Sequence, residues 1–426
     1  MQSFLSTERL RFILNRLRER LWVKPLVMCV LSIGVAFMAK LADDTPLDLF
    51  VPDVSLDSIE TLLSVMASSM LVIATFSVTS MVSSYASASS TATPRSFALI
   101  VADDSSQNAL STFVGAFIFS IVAITAVKNA VFDRTGLFVL FTITGLVFAM
   151  VIVKFVTWVD NIARLGRVGF TIERVETATA AALERRRLAP SLCGVPRGDG
   201  PAEGHPVYAS SIGYVQQIDM AALSAWAEAE DARVVVDALP GTLASPDRVL
   251  AYVRRAGSER PGEEYSGVVN AFQIGGERLY ENDPRFGLCV LGEIAGRALS
   301  PAVNDPGTAI SVVTRQLRLL TQWSKPVDEA ALFAGIRYER VEVPTIATRD
   351  MFDDAFTAIA RDGAGAVEVC VRLQKALRSL ALSDNAETRE AARQHARLAL
   401  ERAEHALPLA ADREFVRCAS IAAERH

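Results

Sequence analysis

Residues 61–94 read TLLSVMASSMLVIATFSVTSMVSSYASASSTATP, and this stretch contains no charged side chain. As a helix, its 34 residues would be about 51 Å long at roughly 1.5 Å per residue. Roughly 20 mostly apolar residues are enough to cross about 30 Å of hydrocarbon. The stretch therefore predicts a membrane-spanning helix that begins near Ile59 and projects beyond the hydrocarbon into the cytoplasm.

Three further apolar segments flank this one, at Trp22–Ala42, Asn108–Val127 and about Gly136–Trp158. They contribute to an apolar content of 51% and a mean hydropathy of +0.28 over 426 residues, whereas soluble proteins of this size are usually more polar. Trp22–Ala42 could also be a buried soluble helix, but the four segments lie together and a soluble core would interleave charges. We expect an α-helical transmembrane bundle of four spans over residues 22–158.

Basic residues indicate the orientation of this bundle. The N-terminal arm, residues 1–21, carries five arginines, whereas the loop between the first two spans carries six acidic residues and no basic one. Basic residues return near and after the end of the fourth span, at Lys154, Arg164, Arg167 and Arg174. Because lysine and arginine favour the cytoplasmic side, we expect a multi-pass bacterial inner-membrane protein with both termini in the cytoplasm. The acidic loop could attract cations or could simply be solvated.

Charge and cysteine content exclude several classes of protein. The net charge is only -5, which indicates no nucleic-acid partner. None of the five cysteines forms a C-x-x-C pair, so neither a disulfide framework nor a zinc ribbon is expected, and a reducing compartment fits. The arginine-rich start lacks a small-residue cleavage site, which predicts that it is not a cleavable signal peptide.

The rest of the chain reads as a soluble part in four segments. Residues 159–189 predict an amphipathic connecting helix whose arginines could contact lipid headgroups or form a solvated face or a coiled interface. Residues 190–206 are rich in proline and glycine and predict a linker. We expect a cytoplasmic α+β domain over residues 207–345. We expect a helical region over residues 346–426, which could serve self-association.

Alternating apolar residues predict the elements of these two regions. We expect strands at Val207–Ile218, Arg233–Ala238, Val249–Val253, Gly267–Ile274 and Arg337–Val343, and a short helix at Met220–Ala232. We expect further helices at about 349–361, 364–382, 385–406 and 409–424. The pattern around Gly213 and Pro240-Gly241 is similar to half of a lipoyl-type barrel, but there is no lysine between Lys154 and Lys325 to carry the group.

The motif Asn-Asp-Pro occurs twice, at residues 282–284 and 304–306. Aspartate at a helix N-cap with proline at the first helical position is a strong start signal, so Asp283 and Asp305 should each cap a helix. The candidate polar corner comprises Asp283, Arg297, Ser300, Asn304, Asp305 and Thr308. A ligand or anion site at a helix N-terminus would explain this corner, and so would polar groups that satisfy one another. Asp305 at the cap would repel an anion.

Four serines in the second span, Ser77, Ser80, Ser84 and Ser87, are spaced by three and four residues and share one helical face. An uncharged face of hydroxyls could line a pathway for ions or polar solutes. It could equally be a packing seam, because serine bonds its own i−4 carbonyl and small residues let helices approach closely. Both the small residues of this span and the Ala-rich C-terminal helices favour a homo-oligomer.

Four stretches carry a resemblance to a known family. They are the Ser-rich second span leading to Thr93-Pro94-Arg95, residues 213–219 (GYVQQID), residues 275–278 (GGER) with Asp283, and residues 297–306 (RALSPAVNDP). From about residue 20 to past 380, the chain resembles a bacterial family of predicted membrane proteins with a domain of unknown function, number 2254. The resemblance implies membrane location and shared architecture and no particular activity.

No enzyme motif is present, so we expect no catalytic residues, no cofactor and no metal. His205 lies in the linker, His426 is the last residue, and His395 and His405 are ten residues apart, which does not place them on one metal-binding face. Two functional hypotheses remain for a protein whose partners are the lipid bilayer and other copies of itself. One is an oligomeric channel or transporter with a cytoplasmic regulatory domain, and the other is a membrane-anchored sensor or scaffold.

Overall fold

In a computed structural model, the chain divides into one compact unit that ends at Thr171 and another that begins at Ile172. The structure describes residues 23–41, 43, 52–101, 104–162, 167–198, 200–201, 203–255 and 265–421. The basic arm, most of the acidic loop, including Asp44 and Asp48, and His426 lie outside the described residues.

The first unit is helical. Its helices are α1 (Val23–Leu41), α2 (Leu56–Thr91), α3 (Phe97–Val101), α4 (Asp104–Lys128) and α5 (Arg134–Ile162). Four of them, α1, α2, α4 and α5, are long and apolar enough to cross a membrane, and these coincide with the four predicted spans. The prediction that the second span exceeds the hydrocarbon thickness is confirmed in length, because α2 has 36 residues.

Helix α4 lies at the centre of this unit and packs against α1, α2 and α5. It buries Phe113, Ala116, Phe119, Ser120 and Ala123, which recur every three or four residues. Helix α2 buries a matching stripe and leaves Val72, Phe76 and Val82 exposed on its opposite side. In a membrane, apolar residues gain little by leaving lipid, so close van der Waals packing along these stripes stabilises the bundle.

One carboxylate of the predicted acidic loop is engaged by the protein itself. Asp43 accepts a 2.6 Å hydrogen bond from the backbone N–H of Gly136 and a 3.1 Å bond from that of Asp133, and Lys40 Nζ lies 3.1 Å away. These backbone N–H groups belong to the start of α5, where a negative charge is favourable. Asp53 pairs with Arg134 at 2.8 Å. The Asp43 carboxylate is therefore buried among protein donors, whereas that of Asp53 forms a surface pair and is 84% exposed.

The second unit combines two small sheets with helices. After α6 (Val168–Leu188) it contains β1 (Gly194–Pro196), β2 (His205–Tyr208), β3 (Gly213–Ile218), α7 (Met220–Ala229), β4 (Ala232–Val236), β5 (Leu243–Ala244), β6 (Val249–Arg255), α8 (Ser266–Ala271) and β7 (Phe272–Gly275). It continues with α9 (Pro284–Ala298), α10 (Pro306–Trp323), α11 (Glu329–Ala334), β8 (Tyr338–Val343), α12 (Thr348–Asp362), α13 (Val367–Leu380), α14 (Ala386–Ala406) and α15 (Ala410–Ala419).

Among the described residues, one sheet has the order β1-β8-β4-β6-β2 and the other β5-β3-β7. Strand β8 runs parallel to both β1 and β4, and the remaining pairs are antiparallel. Helix α7 covers β4 and β8, and its Leu223 and Ala227 join Val234 and Val341 in the buried core. This arrangement brings the start of β8 beside the turn that follows α6, because Tyr338 pairs with Gly194.

The helical part packs around α9. Helix α9 contacts α10 and α12, and α13 and α14 extend the layer. Arg285 on α9 pairs with Asp350 at 2.8 Å and with Asp354 at 2.6 Å on α12. On another face of α9, Gly287 lies against Thr179 of α6 so closely that an added Cβ would overlap the threonine hydroxyl. Glycine is therefore needed at this position to let the two helices touch.

Several element boundaries differ from those expected from the sequence. Val207–Ile218 is not one strand, because the segment Ser210-Ser211-Ile212 turns the chain and places β2 and β3 in different sheets. Gly267–Ile274 is helical to Ala271 before β7, and Gly267 packs against Trp226, where a side chain would not fit. The predicted linker contains β1 and the start of β2, and α6 begins at Val168. The helices expected from residue 349 onward are confirmed within about four residues, except that α15 ends at Ala419.

Candidate functional site

The serine face of α2 points into its own bundle at one end. Ser77 is fully buried, and its hydroxyl donates a 2.8 Å hydrogen bond to the carbonyl of Ile73, four residues earlier. Ser80, Ser84 and Ser87 are half-buried, so the other α-helices of the unit cover them only in part. The structure therefore places the four serines on one face and gives Ser77 the bonding expected of a packing residue.

The polar corner between α9 and α10 satisfies its own hydrogen bonds. Asp305 accepts from the backbone N–H of Thr308 at 3.0 Å and from its hydroxyl at 2.6 Å, and these bonds lower the pKa of Asp305. The Ser300 hydroxyl donates to the carbonyl of Arg297 at 2.7 Å. Asn304 adopts φ +49°, a conformation that asparagine tolerates well, and this turns the chain into α10. The predicted cap is confirmed, and the corner is a solvent-exposed turn.

Asp283 does not lie with the rest of that corner. It caps α9 at the opposite end from Arg297, 14 residues or about 21 Å away along the helix. Its carboxylate accepts from the backbone N–H of Phe286 at 3.2 Å and from Arg278 Nε at 2.6 Å. Burial raises the pKa of Asp283, although Arg278 opposes the shift. Gly241, at φ +96°, leaves room for this carboxylate where a Cβ would overlap it.

A cavity of about 260 Å³ opens beside Asp283, and we call it the arginine cavity. Its lining comes from the end of α6, the end of β3, the start of β8, the turn at Pro240 and the loop before α9. The polar and charged side chains that line it are Arg185, Arg186, Gln217, Glu281, Asn282 and Arg337. Three guanidinium groups against one carboxylate give the lining an excess of positive charge, which favours an anionic ligand.

Arg186 is the buried member of this set, with only 4% of its surface exposed. Its Nη2 donates a weak 3.3 Å hydrogen bond to the carbonyl of Asn282, and its Nη1 is buried with no hydrogen-bond partner. Burial lowers the pKa of Arg186 to about 10, against the attraction of Asp283, so the group is still charged at neutral pH. A buried cation with an unused donor is unfavourable unless an acceptor reaches it.

Other groups at the cavity add to the same chemistry. Arg185 is exposed, and its Nη2 is held 2.5 Å from the carbonyl of Glu281. Arg337 is also exposed, and its backbone N–H donates to the carbonyl of Cys193 at 2.8 Å, which fixes the start of β8. Gln217 has a buried side-chain oxygen without a hydrogen-bond partner. Because a glutamine amide can be turned over, this side chain can present either an acceptor or donors to a ligand.

The histidines that the structure describes do not line the arginine cavity. His205 stacks on Tyr265 with ring centroids 4.8 Å apart. His395 is buried, its Nε2 lies 3.2 Å from Asp353, and burial lowers its pKa. Within the described part of the chain, no group of three or more His, Cys, Asp or Glu side chains could hold a metal ion. Arginine side chains and amides, rather than metal ligands, therefore define this site.

Comparison with known proteins assigns the family. Residues 18–379 match the family described as "Predicted membrane protein (DUF2254)". The chain belongs to the DUF2254 family. Because the match covers both units, the bundle and the cavity-bearing unit are parts of one family architecture. No solved structure matches this DUF2254 protein.

Curated relatives match the DUF2254 chain over a shorter stretch. Uncharacterized proteins from Mycobacterium tuberculosis, strains CDC 1551 / Oshkosh and H37Rv, and from Mycobacterium bovis are each 35% identical to it over 116 residues. The matched stretch is 26% of this chain and 22% of each relative. The chain thus matches only about a fifth of the length of these relatives.

The sequence contained one signal for the cavity. Residues 185–187 are consecutive arginines on a helix, and neighbouring residues on a helix point about 100° apart. Three such side chains cannot all lie on one solvated face of a helix that is packed on its other sides. In the structure Arg185 is exposed, Arg186 is buried, and Arg187 pairs with Glu184 at 2.7 Å. The arginine run at the end of this helix could therefore have identified an inward guanidinium, but the sequence analysis expected these arginines at lipid headgroups, on a solvated face or in a coiled interface.

Proposed function

We propose that this DUF2254 protein is a sensor located in the bacterial inner membrane, with both termini in the cytoplasm, and that its second unit binds a small anionic ligand. The observation that carries the proposal is the buried guanidinium of Arg186, which lines a cavity and has an unpartnered Nη1. The distribution of basic and acidic residues supports the orientation. The proposed role is binding and not catalysis, because the buried group that carries the proposal is a guanidinium, which donates hydrogen bonds to an anion and offers neither a nucleophile nor a base.

Size and charge narrow the chemistry of the ligand. The cavity, at about 260 Å³, lies just below the range of roughly 300–1,000 Å³ that is usual for sites of drug-sized ligands. A planar guanidinium binds the oxygens of phosphate or carboxylate with two parallel hydrogen bonds. Arg185 and Arg337 at the rim would add charge-assisted bonds from exposed positions. A phosphate or carboxylate group on a small molecule therefore matches the lining in both size and charge.

The experiment measures the thermal unfolding of the full-length chain in nanodiscs of zwitterionic lipid. Inorganic phosphate is compared with chloride at equal ionic strength, and a bound ligand at about 100 times its Kd should stabilise the protein by roughly 2.7 kcal/mol. Arg337→Gln should reduce the phosphate shift. Arg340→Gln is the matched control, because Arg340 lies three residues later, on β8, but pairs with Asp231 at 2.8 Å. If phosphate up to tens of millimolar raises the unfolding temperature of neither the wild type nor the Arg340→Gln control, the proposed function is wrong.

A second candidate function, permeation through a homo-oligomer, is favoured by the serine face. Ser80, Ser84 and Ser87 are only half-covered within one chain, so either a second copy or water would complete their surroundings. Ser84→Leu distinguishes a pathway from a packing seam. In a pathway, ion flux in reconstituted vesicles falls while the oligomer mass in mild detergent is unchanged. In a packing seam, the oligomer dissociates. If both the ion flux and the oligomer mass are unchanged, α2 takes no part in the mechanism.

A further inference from the structure

A second cavity, of about 310 Å³, adjoins the arginine cavity. We call it the apolar cavity, because its wall is formed mainly by Leu188, Pro190, Pro196, Leu332, Phe333 and Ile336. Leu188 and Phe333 are 55% and 68% exposed at its edge. Large apolar side chains exposed around a concavity favour the binding of an apolar group there.

The two cavities have a common boundary. Ala189 and Cys193 line both, so the wall between the charged lining and the apolar lining is a single turn of chain. That turn is tight, with Leu192 and Cys193 at φ +53° and +62° and a hydrogen bond from the N–H of Gly194 to the carbonyl of Ser191. A ligand with a charged end and an apolar end could therefore lie across the small side chain of Ala189.

We infer that the ligand of the arginine cavity is an amphiphile, with an anionic phosphate or carboxylate head at Arg186 and an unbranched acyl or alkyl chain in the apolar cavity. This inference rests on the proposed function and adds to it the chemical class of the ligand. The apolar cavity alone would fit many partners. It shares a boundary with the cavity that the buried Arg186 lines, and this selects a molecule that carries both chemistries, which a second copy of this chain or an apolar peptide would not need to do.

Two sources could supply such a molecule, a membrane phospholipid with an anionic head and a free alkyl or acyl anion in the cytoplasm. Both present the same chemistry to the two cavities. They differ in whether the ligand is already present in the bilayer that surrounds the protein. Nanodiscs of zwitterionic lipid alone, compared with nanodiscs doped with anionic phospholipid, therefore separate the two sources.

The experiment measures the Kd of inorganic phosphate and of methyl, butyl and octyl phosphate for the full-length chain in zwitterionic nanodiscs. Burial of each methylene should tighten binding by about fourfold until the chain fills the cavity. Octyl phosphate should therefore bind at least tenfold more tightly than inorganic phosphate. Phe333→Ser should remove most of this gain and leave the Kd of inorganic phosphate unchanged. Phe415→Ser is the matched control, because Phe415 is 60% exposed and lies on α15.

Each outcome has a defined meaning. Displacement of octyl phosphate by anionic lipid in the nanodisc supports the inference with the membrane as source, and a chain-length gain without displacement supports it with a soluble source. If phosphate binds but chain length has no effect, or if Phe333→Ser keeps the full gain, the amphiphile inference is wrong while the proposed function stands. If none of the phosphates binds, the proposed function is wrong and the inference fails with it.

Discussion

Arg186→Met is the most direct test of the buried cation. Methionine keeps an unbranched, flexible side chain that can fill the space of the arginine stem, and it removes the charge. In the ligand-free protein, Arg186 is a buried cation whose Nη1 has no partner. Replacing a buried, incompletely satisfied charge with an apolar group is often neutral or stabilising. The substitution should therefore affect stability and binding in opposite directions.

The magnitude follows from two opposing effects. Burial lowers the pKa of Arg186 to about 10, and this lowering corresponds to roughly 3 kcal/mol of unfavourable charge burial at about 1.4 kcal/mol per pKa unit. The substitution also removes the 3.3 Å hydrogen bond to the Asn282 carbonyl, and a hydrogen bond from a charged group contributes roughly 1.5–3 kcal/mol. The ligand-free variant should therefore be between unchanged and about 1.5 kcal/mol more stable than the wild type.

Thermal unfolding in nanodiscs, with and without phosphate, measures both effects. A gain of 1 kcal/mol should raise the Tm by roughly 2–4 °C in a protein of this size. Arg186→Met should lose the phosphate-dependent increase in Tm. Arg187→Met is the matched control, because it makes the same change in charge one residue later and removes contacts outside the arginine cavity, with the Glu184 carboxylate and the carbonyls of Lys325 and Pro326. The control should keep the phosphate-dependent increase.

Either of two results would refute this reasoning. If Arg186→Met lowers the stability of the ligand-free protein by 3 kcal/mol or more, Arg186 is a satisfied structural cation. If the variant keeps the phosphate-dependent increase in Tm of the wild type, the arginine cavity does not bind the anion. Either result would separate the buried guanidinium from ligand binding.

Three further predictions concern packing, capping and topology. Gly287→Ala should destabilise by about 1–3 kcal/mol in denaturant unfolding, because its Cβ would overlap α6, whereas Gly169→Ala, which meets open space, should be neutral or stabilising. Asp305→Ala should lower the free energy of unfolding by about 0.5–2 kcal/mol, and Asp305→Asn by less. Because the bonds from Thr308 lower the pKa of Asp305, the stabilisation by Asp305 should be present above about pH 4 and lost as the pH falls below that, which denaturant unfolding at several pH values would measure. A cysteine at Asp53 should react with an impermeant thiol reagent in intact cells and one at Glu277 should not; the reverse would overturn the orientation.

Local signals in the sequence were enough to predict most helices. The uncharged run around Ser77 and the apolar runs beside it predicted the spans, because helix length and hydropathy are properties of one segment. The caps at Asp283 and Asp305 were predicted for the same reason, since a cap depends on residues within one turn of the chain. The strand over Val207–Ile218 was wrong because strand pairing depends on distant partners, and here two different sheets supply them.

The cavity could not be assembled from the sequence. Arg186, Gln217 and Arg337 are far apart along the chain, and only the folded unit brings the end of α6, the end of β3 and the start of β8 around one cavity. The burial of Arg186 also depends on which face of α6 is covered, which periodicity alone did not decide. The arginines of α6 were expected to contact lipid headgroups or to form a solvated face or a coiled interface, so the burial of Arg186 was missed.

The two Asn-Asp-Pro motifs show why motif identity does not assign a site. In the first, the Asn282 carbonyl accepts from Arg186 and Asp283 is buried against Arg278, so the motif forms part of a charged cavity. In the second, Asp305 is exposed and its carboxylate binds its own Thr308. Both start a helix in the same way. In the first motif, any change in the charge of Arg186 also changes the electrostatic surroundings of the carboxylate that caps α9, because Arg186 and Asp283 attract each other.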